Sequence, residues 1–102
     1  MLAIVLVRVI IIMVKGNNGE ALIVFTDHAR QQLKERNISE SRVIMCLRKP
    51  EKIVREQGIR FRALKTIRTN SRHRLLVVAY DEGGQMKKVV TAFITSKIKK
   101  YL

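Results

Sequence analysis

The chain contains no tryptophan, one proline, one cysteine and only eight acidic residues in 102. A lone thiol, Cys46, closes no internal disulfide and cannot by itself hold a metal, so disulfide scaffolds and zinc ribbons are excluded. There is no P-loop, no G-x-G-x-x-G, no H-E-x-x-H and no cysteine cluster. Those absences disfavour a metal- or nucleotide-dependent enzyme, and no metal site or cofactor is expected. No repeat or low-complexity segment interrupts the chain. Only five residues are aromatic (three Phe, two Tyr), so each tyrosine must be weighed as packing first.

What the chain does have is apolar content of 47%, enough for one core at this length. Lys and Arg number 21, which leaves a net charge of +13. Such a charge on so small a body favours a polyanionic partner: nucleic acid, an acidic protein or an anionic membrane. The charge is concentrated. Eleven basic residues lie between Arg42 and Arg74, opposed only by Glu51 and Glu56, and they carry nine of the thirteen charges. Arginine outnumbers lysine there, and its planar fork matches phosphate oxygens.

Residues 1–14 are apolar except Arg8. The run is shorter than the roughly 20 residues a spanning helix needs, which disfavours a membrane role. Its β-branched residues suit a strand or a dimerising arm, and a translation start at Met13 is a further reading. Residues 15–20 read as a turn or linker, so the expected division is an N-terminal extension, 1–20, and a domain, 21–102. Ala21 to Phe25 reads as a strand. Thr26 then caps a helix to about Asn37, with Ala29, Leu33 and the stem of Arg36 inward. Ser39 caps a second helix to about Lys49, with Val43, Ile44 and Leu47 inward, and Pro50 closes it. After Pro50 four strands are expected, at Lys52–Gln57, Ile59 to about Arg68, His73–Asp81 and Met86–Thr95. Gly58, residues 69–71 and residues 82–84 supply the turns. Leu75 to Ala79 is apolar on both faces and belongs mid-sheet. Ser96 is expected to cap a short basic tail. The class is α+β: a strand, a two-helix hairpin, then a four-stranded antiparallel meander.

Two stretches carry a family resemblance. Thr26-Asp27-His28-Ala29, then Glu35-Arg36-Asn37-Ile38-Ser39 and Pro50, resembles the T-x-H-A / E-R-x-I-S opening of a domain-of-unknown-function family grouped beside the RelE, ParE and BrnT toxins. Arg74 to Val78, Val89 to Phe93 and Thr95 to Tyr101 are similar to the strand-and-tail pattern of RelE-like toxins. The resemblance spans about residues 22–102. It implies a RelE-like toxin fold, mRNA cleavage without a metal, often on the ribosome, and an acidic or DNA-binding antitoxin as partner in the cytoplasm. Arg74 is similar in place to a sheet arginine of those toxins and Tyr101 to their C-terminal tyrosine. Lys97 or Lys99 is similar to the basic residue before it. ParE-like relatives keep the fold without cutting RNA, so the alternative is a non-enzymatic inhibitor or a basic binding module.

Cleaving RNA through its own 2′-hydroxyl requires a base, an acid and positive charge at the phosphorane. Arg60, Arg62, Arg74 and Lys65 could supply charge from rigid elements, with Arg68 and Arg72 extending the phosphate-binding surface. His73, beside Arg72 and Arg74, is the candidate base, because nearby cations favour its neutral form. Tyr80 and Tyr101 could stack on bases. His28 and Arg36 read as structural groups or as groups at the border of the site. Cys46 reads as a buried thiol.

Overall fold

The computed structural model describes residues 12–16 and 19–102. The elements run β1 (Ile12–Gly16), β2 (Gly19–Phe25), α1 (Asp27–Glu35), α2 (Glu40–Arg48), β3 (Lys52–Gln57), β4 (Arg60–Thr69), β5 (Arg72–Gly83), β6 (Met86–Thr95) and α3 (Ile98–Tyr101). Most of the apolar run at 1–14 lies outside the described residues. Its last residues enter β1, which pairs antiparallel with β2. Of residues 15–20, read as a turn or linker, Lys15, Gly16, Gly19 and Glu20 are strand residues, paired in register.

The helices begin where short polar side chains replace missing backbone acceptors. Thr26 Oγ1 accepts from Ala29 N at 3.0 Å, and Ser39 Oγ accepts from Arg42 N at 3.2 Å. Caps of this kind are worth about 1 kcal/mol each. Helix α1 stops because Asn37 turns left-handed, at φ 56°. That turn lets Ile38 N reach Leu33 O at 2.8 Å and Asn37 N reach Lys34 O at 3.2 Å, a Schellman closure. The strand turns follow the same logic. Asn70 and Ser71 both take positive φ and form a two-residue hairpin loop between Thr69 and Arg72. Gly58 and Gly84 supply the positive φ in the other two meander turns. The C-terminal tail departs from expectation: Lys97, not Ser96, stands at the N-cap of α3, with its N–H given to Thr95 Oγ1 at 3.1 Å.

The six strands form one mixed sheet in the order β1-β2-β6-β5-β4-β3. Strands β3 to β6 are antiparallel neighbours, whereas β2 joins β6 in parallel, Leu22 opposite Met86 and Phe25 opposite Val89. Strand β5 is central, and Leu75 to Tyr80 are all buried, as their unbroken apolarity requires. Its residues alternate between two cores. Leu76, Val78 and Tyr80 face the helix pair and meet Phe25, Ala29, Leu33, Val43, Cys46 and Leu47. Leu75 and Val77 face the other way and meet Leu64, with Val54, Phe93, Ile98 and Tyr101 against them. The first core is the large one; the second is a patch on which Ile98 and Tyr101 of the four-residue α3 pack. On α2, Cys46 is fully buried beside Val43 and Leu47, while the expected inward Ile44 is only half-buried.

Candidate nucleic-acid interface

The sheet face away from the helix pair is where the chain gathers cations around an aromatic ring. Alternation on β4 sends Leu64 to the second core, and Arg62 and Arg60 emerge on the same side. Short α3 returns over this face and sets the half-buried Tyr101 ring edge-on to Phe93, centroids 6.0 Å apart. Arg62 Cζ lies 5.8 Å from the Tyr101 centroid, and Lys100 Nζ lies 5.6 Å from it. A cation at this distance is drawn to the ring quadrupole and, in turn, makes the ring a base-stacking platform with charge at its rim.

Carboxylates organise the two arginines. Glu56 is the extra residue where the β3–β4 register shifts, and its Oε1 sits 2.7 Å from Arg62 Nε. Arg60 stands directly opposite Asp81 and grips both of its oxygens, holding the Asp81 carboxyl below its ordinary range. Arg60 is pushed up in turn by that hydrogen bond and stays charged.

The residues singled out from sequence do not converge on one spot. Arg74 lies opposite Ile67, on the side of the helix pair; it is half-buried and its Nε has no partner. His73 points the other way, exposed, opposite Arg68. His73 is six residue steps along β5 from Ala79, the partner of Arg62, a span of about 20 Å at ~3.3 Å per residue. Lys97, Lys99 and Arg72 are exposed. Lys65 donates to Lys49 O at 3.0 Å, where α2 ends, and so acts as a cap on that helix. Arg68 is exposed near the end of β4. Tyr80 is unavailable for stacking on a base: it is buried, lies on Phe61 with centroids 5.8 Å apart, and burial pushes its hydroxyl up to about 12. His28 is exposed. Arg36 is a tie rather than a buried stem. Its Nη1 donates to Thr91 Oγ1 at 3.0 Å and to Ala92 O at 2.8 Å.

Sequence reasoning missed Glu56, Phe93 and Lys100. Lys100 adjoins Tyr101 and was open to view; Glu56 reaches Arg62 only through the bulge, which no local pattern announces. Among the described residues no three His, Cys, Asp or Glu side chains gather as a metal set, and no helix is long and apolar enough to cross a membrane.

Fold and surface thus define a small α+β domain with a basic, ring-bearing sheet face. The model of one family, a domain of unknown function termed DUF4258, matches residues 25–100, and the chain belongs to that family. No curated protein and no solved structure matches it.

Proposed function

We propose that the domain is a toxin-type, RelE-like RNA-binding domain that cleaves mRNA without a metal ion and is held in check by an acidic or DNA-binding antitoxin in the cytoplasm. The observation that carries this reading is the cluster of Arg62, Lys100, Tyr101 and Glu56 on one open sheet face. It combines what RNA cleavage requires. Tyr101 stacks on an unpaired base, which places the adjoining phosphate against Arg62 and Lys100. Glu56 takes the 2′-hydroxyl proton as that oxygen attacks phosphorus. The two cations meet the charge of the phosphorane, and Tyr101 hands a proton to the 5′-oxygen as its bond to phosphorus breaks. Arg74 and His73 have no part in this step; Arg60 extends the phosphate-binding track.

A second reading is supported by the separation of Arg74 and His73 from Tyr101. In that reading the face only binds, as in a ParE-like inhibitor or a basic nucleic-acid or protein-binding module. Induced expression followed by primer extension on host mRNA separates the two. Wild type should produce defined cuts, and Glu56→Gln, Arg62→Ala and Tyr101→Phe should abolish them in proteins that still melt cooperatively. RNA affinity should fall with salt, by about 0.7 in log–log slope per phosphate neutralised, and Arg62→Ala should flatten that slope. Absence of cuts by wild type, with or without ribosomes, leaves the binding module in possession.

A further inference from the structure

A second basic surface lies at the end of the sheet, where β4 turns into β5. The loop between α1 and α2 and the turn between β4 and β5 enclose a cleft of about 480 Å³. Its charged lining consists of Lys34, Arg42 and Arg68, with no acidic side chain beside them. Arg60 and Arg62 each hold a carboxylate, but none of these three side chains is ion-paired among the described residues. Ile38 and Ile94 give the cleft an apolar floor. Thr69 also lines it, and its hydroxyl is buried with no hydrogen-bond partner. A buried hydroxyl without a partner is costly, and a ligand that supplies one removes that cost.

Three unpaired cations, an orphaned hydroxyl and an apolar floor make a particular demand on a ligand. It must carry a compact multiple negative charge at one end and a flat apolar body at the other. The volume lies within the range of about 300–1,000 Å³ typical of small-molecule sites. We propose that this cleft binds one nucleotide, with its phosphate on Lys34, Arg42 and Arg68 and its base over Ile38 and Ile94. The Thr69 hydroxyl donates to a phosphate or ribose oxygen. Such a nucleotide exists free in solution or at the phosphorylated end of an RNA strand. The site does not depend on the activity proposed for the face that bears Tyr101.

The test is a ¹H–¹⁵N NMR titration of the full chain with AMP, with adenosine, and with one short RNA carrying either a 5′-phosphate or a 5′-hydroxyl. AMP should produce saturable shifts at the amides of residues 37–42 and 68–70, and adenosine should produce none there. Lys34 and Arg68 are exposed, so Lys34→Gln and Arg68→Gln should fold and should each weaken AMP by about tenfold. Thr69→Val should weaken it less, and Tyr101→Ala should leave it unchanged. Saturation by AMP alone assigns a free nucleotide; saturation by the 5′-phosphorylated RNA as well, and not by the 5′-hydroxyl strand, assigns a strand end. No saturable shift in the cleft, an equal response to adenosine, or loss of AMP binding in Tyr101→Ala would overturn the proposal.

Discussion

Arg62 Cζ stands 5.8 Å from the centroid of the Tyr101 ring, which ties the first half of β4 to α3. The contact divides Tyr101 into a ring and a hydroxyl with separable duties. Tyr101→Ala should weaken single-stranded RNA by about tenfold or more, since stacking on an aromatic contributes about 1–3 kcal/mol per base. Tyr101→Phe should keep the affinity and lose cleavage. Fluorescence anisotropy and a gel-based cleavage assay read the two effects apart, and equal affinity losses in both variants would deny the ring a stacking role.

Acid should weaken the fold through two carboxylates. Asp81 is held below its ordinary value of 3.8 by the Arg60 hydrogen bond, and Glu51 below 4.5 by the Thr66 hydroxyl and amide. A carboxyl with a lower pKa in the folded chain binds fewer protons there than when unfolded. Its stabilising contribution is therefore complete above the ordinary values and is lost as pH falls through the depressed ones. Urea melts at successive pH values from 6 downward should show midpoints that hold until about pH 5 and then decline. Asp81→Asn should make that decline shallower.

Arg36 closes an opening in the sheet. Strand β2 leaves β6 after Val89, and beyond that point Arg36 donates to Ala92 O and Thr91 Oγ1 in its place. Arg36→Ala should cost about 1–2 kcal/mol and lower Tm by roughly 5–10 °C. Arg36→Lys, whose ammonium can donate to two acceptors but sits on a shorter side chain, should recover only part of the loss. An unchanged Tm would mean that solvent serves those acceptors equally well.

Cys46 should resist alkylation. Burial pushes its thiol up to about 12, and its Sγ is fully enclosed, 3.5 Å from Ala63 O. At pH 8 iodoacetamide should label it only as the protein opens, at a rate that rises with urea. Labelling at the rate of a free thiol would show that α2 does not stay seated on β4 and β5.

Local chemistry announced most of the fold. Thr26 and Ser39 marked both helix starts because a short side-chain oxygen is the usual partner for the first free N–H groups. The apolar run from Leu75 to Ala79 marked the central strand. The alternation of His73 and Arg74 was also there to be read, since adjacent strand residues face opposite sides. Their charge and chemistry suggested one site, and the backbone puts a sheet between them. The true neighbours of Tyr101 depended on α3 folding back and on a bulge at Glu56. Both are tertiary events with no signature in the surrounding residues. Lys65 looked like one more phosphate ligand, but its register aimed it at the last carbonyls of α2.

The parallel pairing of β2 with β6 has a consequence for how the chain comes to be folded. Leu22 to Phe25 find their neighbours in Met86 to Val89, nearly at the other end of the polypeptide. Arg36, early in the chain, likewise waits for Thr91 and Ala92. As the chain leaves the ribosome, β2 and α1 emerge long before the strand that completes them, with the apolar side chains of Ile23, Phe25 and Leu33 uncovered until then. The hairpins of β3 to β5 form from near neighbours, but the main core closes only on arrival of β6. Non-local closure of this kind slows folding relative to a chain of near-neighbour contacts.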